Sequence, residues 1–377
     1  MVRCIHIAPE LPPTVGGVAD YTAILSRRLV EVSDRDVEPV LVHAGNQSRN
    51  KIEVNFPSVN LSGKCSTGTL AETIKELAGE AKGPAVVLLE YANYGYALNG
   101  VPWWLLHGLM RVCGSEKLPL IVMLHELYAT GPPWTSAFWY SVPQRFVAIQ
   151  LSRLAQHVCT NRASAKQWVS RYTGPNDQEL TVHPVFSNVG EPEGGADFES
   201  RTARVVMFGG KKNRIYRENP DVLHQLVNTH EFGEVIDIGP LEDDNRLARE
   251  WLTYHGILPA ERISETLSSS SLGLISYPSS RLSKSGGVAA FASHGMPFVL
   301  IDEDEGGDPS PYEEGTHFFR WSTLSESTQV LTEQKMREMS EAISSLYSEQ
   351  MHSRLSARHF LQAINRTVFS QCNLDFS

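Results

Sequence analysis

Short apolar runs alternate with longer helical patterns along this chain, and that alternation limits its fold more than any other feature. Residues 4–8, 39–42, 85–90, 120–125, 158–161 and 180–183 read as strands. Between them, 21–32, 70–81, 103–112, 142–155 and 163–172 carry helical spacing. Runs that are apolar throughout suit strands buried on both faces, so the rhythm predicts a parallel sheet covered by helices on either side. It breaks across 187–203, where Asn188-Val189-Gly190-Glu191-Pro192-Glu193-Gly194-Gly195 is polar and breaker-rich and reads as a linker. It then restarts with strands at 204–208, 234–238, 272–276 and 297–301 and helices at 220–227, 246–255 and 286–294. Helical patterns at 333–347 and 351–369 close the chain. A length of 377 residues exceeds one ordinary core. The fold class expected is therefore α/β, with two Rossmann-like doubly wound domains at 1–190 and 203–345 and a last segment at 346–377. Two such domains imply a cleft, a preferred place for small ligands.

Composition narrows the function. The net charge of −10 argues against nonspecific nucleic-acid binding by the whole chain. Five scattered cysteines without a CxxC suggest neither a zinc knuckle nor a disulfide framework, and they fit a reducing cytoplasm. The chain opens on a strand pattern rather than a signal segment. No run of about 18 apolar residues exists, so no spanning helix is expected. The aromatic stretches 103–106 and 134–140 are assigned to core, with a membrane surface or a lipid-linked substrate as the alternative. No repeat at solenoid periods is present.

Four constellations have the residue types for chemistry. Gly16-Gly17 lies between the first strand and the first helix, where backbone donors can meet a phosphate or sugar. Asp20 behind it either complements the helix N-terminus or serves a sugar hydroxyl. His125 ends a strand, on the edge where open α/β sheets bind ligands, and its imidazole can donate to a hydroxyl or relay a proton. Lys211, Lys212, Arg214 and Arg217 follow Gly209-Gly210 after the first strand of the second domain, a reversal of sign suited to a diphosphate leaving group. Lys284-Ser285-Gly286-Gly287 opens a helix that Gly295 ends, and its free N–H groups with one ammonium make a phosphate seat. The small residues Gly286, Gly287, Ala289 and Ala290 suggest close approach by another group. Familiar sites are absent: His125-Glu126 has Ala129 where a zinc-protease motif needs its second His, and Gly63-Lys64 is followed by Cys65. There is no GxSxG elbow, and the Rossmann glycine spacing fails at Gly16-Gly17. Asp34-Arg35-Asp36 and Asp302-Glu303-Asp304 match a bare Asp-x-Asp pattern but read as acidic turns.

Taken in order, these pieces resemble the GT-B-fold glycosyltransferases, especially the large family-4 group that uses nucleotide-sugars. Pro12-Pro13-x-x-Gly16-Gly17-Val18-x-x-Tyr21 is similar to that group's N-terminal glycine loop, and 121–125 to its strand ending in His. Residues 158–164 are placed like the strand before its late N-domain helix, and 185–189 resemble its interdomain stretch. Gly256-Ile257-Leu258-Pro259 resembles the loop that receives the nucleotide base, and 292–299 the end of its signature helix. The group's two Glu, eight positions apart, would fall at Leu282 and Ala290, and neither is acidic. The resemblance implies a metal-independent, retaining transferase without cofactor, taking a UDP-sugar in preference to a GDP-sugar, in polysaccharide or glycoconjugate synthesis. The acceptor is expected to be a glycan, a lipid-linked molecule or a small molecule. The resemblance gives the acceptor to the first domain, the donor to the second and the closing helix to the first. It assigns His125, Asp20 and Lys284 to catalysis. Donor contacts fall to Gly16, Gly17, Lys211, Lys212, Arg214, Leu258, Ser285, Gly286 and Gly287. The alternatives are a non-catalytic nucleotide-sugar-binding subunit, a metal-dependent transferase using Asp302-Glu303-Asp304, and a sugar-nucleotide epimerase.

Overall fold

The computed structural model describes residues 1–14, 16–47, 51–173, 179–192, 198–210, 220–229, 232–240, 249–304, 306–325 and 331–374. The chain divides into two compact units, Met1–His183 with Ser353–Ser377, and Pro184–His352.

The N-terminal unit runs β1 (Val2–Ala8), α1 (Gly17–Val32), β2 (Val37–His43), β3 (Ser58–Asn60), α2 (Thr67–Gly79), β4 (Ala85–Ala92) and α3 (Asn93–Tyr96). It continues through α4 (Trp103–Leu109), a π-helical turn (Met110–Ser115), β5 (Leu120–Glu126), α5 (Ser136–Leu154), β6 (His157–Thr160), α6 (Ala163–Thr173) and β7 (Glu179–Val182). Its seven strands form one parallel sheet in the order β3-β2-β1-β4-β5-β6-β7. Alternate residues of each strand face opposite sides of the sheet. Ile5, Ile7, Val87, Leu89, Val122 and Leu124 enter a core with residues from α2, α4 and α5.

The C-terminal unit holds β8 (Thr202–Phe208), α7 (Pro220–Thr229), β9 (Glu234–Ile238), β10 (Leu252–Gly256), α8 (Ala260–Ser268), β11 (Ser270–Tyr277) and α9 (Gly286–Ser293). β12 (Phe298–Asp302), β13 (Phe318–Arg320), α10 (Trp321–Ser325) and α11 (Glu333–Gln350) complete it. Its sheet is also parallel, in the order β10-β9-β8-β11-β12-β13. The final helix, α12 (Ser353–Leu374), packs on α1 in the N-terminal unit, where Arg28 Nε donates to Ser353 Oγ at 2.9 Å.

Several expectations need correction. The helix expected at 246–255 gives way to β10 over Leu252–Gly256, which pairs in parallel with β9; residues 246–248 lie outside the described residues. The linker read across 187–203, most clearly at 188–195, falls partly outside the described residues, at 193–197, and its start is packed. Val185, Phe186, Ser187 and Val189 are buried, and the Tyr347 hydroxyl accepts from the Ser187 amide and donates to Glu191. The core assignment of 134–140 is overturned, since Trp134, Phe138, Trp139 and Tyr140 are exposed. The 103–106 stretch is split: Leu105 and Leu106 are buried, Trp104 packs on the core, and Trp103 is exposed. Among the described residues no helix is long and apolar enough to cross a membrane.

Candidate functional site

Each sheet reverses its strand order beside its first strand, between β1 and β4 in one unit and between β8 and β11 in the other. In open α/β sheets ligands bind outside the carboxyl ends of the strands at such a point.

In the C-terminal unit, Gly209-Gly210 leaves β8, Gly239 leaves β9 and Gly256 ends β10, all on that edge. Gly256 needs its glycine for a backbone φ of 66°, and its carbonyl accepts from the Gly239 amide at 2.7 Å. The Ile257-Leu258 pair after it leaves Ile257 exposed and Leu258 half-buried. From β11 the chain passes through a 3₁₀ turn, Ser279–Lys284, into α9. Ser285 caps α9, its hydroxyl accepting from the Val288 amide at 3.3 Å. The Gly286 and Gly287 amides are left for an outside acceptor, since they have no partner among the described residues. Lys284 is half-buried immediately before them.

The small residues of α9 have different causes. A Cβ on Gly287 would sit 3.3 Å from the Phe208 carbonyl, so that glycine lets α9 pack on the end of β8. Ala289 and Ala290 are core residues. A Cβ on Gly286 would make only ordinary contact, 3.5 Å from the Asn188 side chain, so the described protein gives no reason for glycine there. Leu282 and Ala290 are both buried. Lys211, Lys212 and Arg214 lie outside the described residues.

Asp302-Glu303-Asp304 shapes the turn that carries Lys284. Asp302 accepts from the Ser279 amide at 2.9 Å and from Arg320 Nε at 3.0 Å, Asp304 accepts from the Ser279 hydroxyl at 3.1 Å, and Glu303 accepts from the Ser276 hydroxyl at 3.0 Å. Burial alone would raise the Asp302 carboxyl, but its hydrogen bonds with Ser279 and Arg320 hold it below the usual range.

In the N-terminal unit Gly16 is extended, with φ −173°, and caps α1 without a side-chain bond. A Cβ there would meet only the end of the Glu10 side chain, and one on Gly17 would meet nothing within 4 Å. Asp20 is half-buried in the first turn of α1. His125 lies at the end of β5, nearly buried, and Tyr21 of α1 meets it edge-on with 4.9 Å between ring centroids.

The sequence reading missed what holds His125. Its Nε2 donates to Glu90 Oε2 at 2.6 Å, and the other Glu90 oxygen accepts from His6 Nε2 at 2.8 Å. His6 Nδ1 lies 2.8 Å from the Ser26 hydroxyl. Register builds this line. His6 pairs with Leu88, and Glu90 is two residues on; Glu90 pairs with Met123, and His125 is two residues on. Each step keeps the same face of the sheet and moves toward its carboxyl edge. Glu90 and His6 are fully buried. Burial pushes the Glu90 carboxyl up, but the hydrogen bonds and charges of His125 and His6 outweigh it and hold the group below its ordinary value. With Nε2 committed to Glu90, Nδ1 is the ring nitrogen of His125 left without a partner among the described residues. Asn93 just past β4 is also buried, and its amide nitrogen has no acceptor among the described residues.

No protein-family model matches the chain, and no curated protein matches its sequence. Solved structures do match the fold. An α,α-trehalose-6-phosphate synthase from Burkholderia multivorans aligns with a TM-score of 0.59 at 10% identity, covering 99% of this chain and 99% of its own. Phytolacca americana UGT2, complexed with UDP-2-fluoro-glucose and pterostilbene, gives 0.58 at 10% identity, covering 97% and 100%. WaaG, a glycosyltransferase involved in lipopolysaccharide biosynthesis, gives 0.57 at 11% identity, covering 95% and 97%. The chain therefore has the paired parallel-sheet α/β architecture of GT-B proteins.

Proposed function

We propose that the chain is a glycosyltransferase that moves a sugar from a nucleoside-diphosphate sugar, UDP-sugars before GDP-sugars, to an acceptor hydroxyl. The observation that carries this reading is the start of α9. Two adjacent amides without partners among the described residues follow a lysine at the β8–β11 switch point of a GT-B-like fold. Aligned amides, the helix dipole and an ammonium together favour a diphosphate. In the reaction they oppose the charge that develops on the leaving group. Lys211, Lys212 and Arg214 add cations after Gly210, and the turn at Gly256-Ile257-Leu258 takes the base.

The N-terminal unit serves sugar and acceptor hydroxyls through Gly16, Gly17, Asp20 and His125. His125 Nδ1 acts as an acceptor of fixed orientation, and the amide of Asn93 as a donor. The reaction proceeds with retention and without metal. The engagement of Asp302 and Asp304 by Ser279 and Arg320 supports the second point, and the family resemblance the first.

A thermal-shift screen against nucleoside diphosphates and their sugars tests the reading. UDP at about 100 times its Kd is expected to stabilise the folded state by about 2.7 kcal/mol. A melting temperature unmoved by every nucleotide would reject it.

A further inference from the structure

We propose that the outer face of α4 and α5 in the N-terminal unit docks onto an anionic lipid bilayer. α5 turns Ser141, Gln144, Val147, Ala148 and Leu151 inward, a spacing of three and four residues. The opposite face presents Phe138, Trp139, Val142 and Phe146, all exposed, with Trp139 at 70% and Val142 at 72%. Trp134, 84% exposed, precedes the helix. Trp103 on α4 joins the patch through a ring contact with Phe146, 5.8 Å between centroids. A helix apolar on both sides is normally covered on both, and no described residue covers these side chains. Contiguous exposed apolar surface of this kind marks an interaction site.

Charge selects the occupant. The chain carries a net charge of −10, yet no Asp or Glu occurs from 91 to 115 or from 127 to 176. Arg111, Arg145 and Arg153 lie in those stretches and are exposed. Tryptophan and tyrosine at an interface with arginines around them suit the headgroup layer of a bilayer, where rings enter the acyl boundary and cations meet anionic lipid. A second copy of this face is disfavoured, because it would bring together two surfaces of the same positive sign. The proposal is independent of the catalytic reading.

Co-sedimentation of the full chain with phosphatidylcholine vesicles, with and without phosphatidylglycerol, tests it. Binding is expected to the anionic vesicles and to weaken as salt rises. The Trp134→Ser/Trp139→Ser/Val142→Ser variant should partition at least about tenfold more weakly, having lost its inserting side chains. The Arg111→Glu/Arg145→Glu variant should lose the preference for anionic lipid, which keeps the proposal testable if the serine variant misfolds. Three results would overturn it. One is wild-type chain left in the supernatant with both vesicles. Another is a folded serine variant that sediments like the wild type. The third is self-association, abolished in the serine variant, without vesicle binding.

Discussion

Glu90→Leu is expected to cost the N-terminal unit about 3 to 5 kcal/mol, the scale for removing one partner from a buried charged cluster. The carboxylate is fully buried and accepts from His125 and His6 at once, so its loss strands two imidazole N–H groups among apolar neighbours. Glu90→Gln keeps the shape but offers one acceptor and a donor, and should lose about 1 to 3 kcal/mol for the group left unsatisfied. The pH dependence has a definite sign. The folded carboxyl sits below its ordinary value of 4.5. On acidification the unfolded chain therefore takes up this proton first. The contribution of Glu90 is complete above about pH 4.5 and is lost as pH falls through the folded value. Urea unfolding of the N-terminal unit should show the gap between wild type and Glu90→Gln widest at neutral pH and closing in acid. A gap independent of pH would mean that Glu90 is not held ionised by its two histidines.

The same carboxylate fixes the donor and acceptor roles of His125. In Glu90→Gln the ring is free to exchange its tautomer, so turnover should fall even where the variant is fully folded. Imidazole nitrogen chemical shifts report the tautomer directly. An unchanged Nε2–H form in the variant would remove Glu90 from that role.

Lys284→Ala is expected to lower sugar transfer by about 100- to 1,000-fold, the usual cost of removing one group aimed at developing transition-state charge. The residue is half-buried at the end of a 3₁₀ turn, and Ser285 rather than Lys284 caps α9. The cap of α9 should therefore survive its removal, so the loss of transfer is expected in a folded variant. Steady-state rates with a UDP-sugar, alongside melting curves, separate the two effects. Unchanged rates in a folded variant would reject the role, and a large loss of stability would make Lys284 a structural residue.

The architecture was legible wherever strands are buried on both faces, because there the chain has little choice but a continuous apolar run. The missed strands are edges. β3 and β13 are three residues long, and β10 forms the margin of its sheet. With one side toward solvent such strands tolerate Ser58, Asn60, Thr253 and His255, so the apolar signal fades. The start of α9 could be read locally, since its glycines, cap and lysine are neighbours in sequence. The line from His6 through Glu90 to His125 could not, because parallel register assembles it from three strands far apart in the chain. The available signal was a carboxylate inside the apolar run 85–92 and a histidine inside 2–8. Burial of such groups demands partners.

A crystal soaked with UDP puts the most direct question to the C-terminal unit. The diphosphate should lie within hydrogen-bond distance of the Gly286 and Gly287 amides, with the Lys284 ammonium beside it. Density for the diphosphate at any other place, or none at saturating UDP, would show that the start of α9 is an ordinary capped helix and not a nucleotide site.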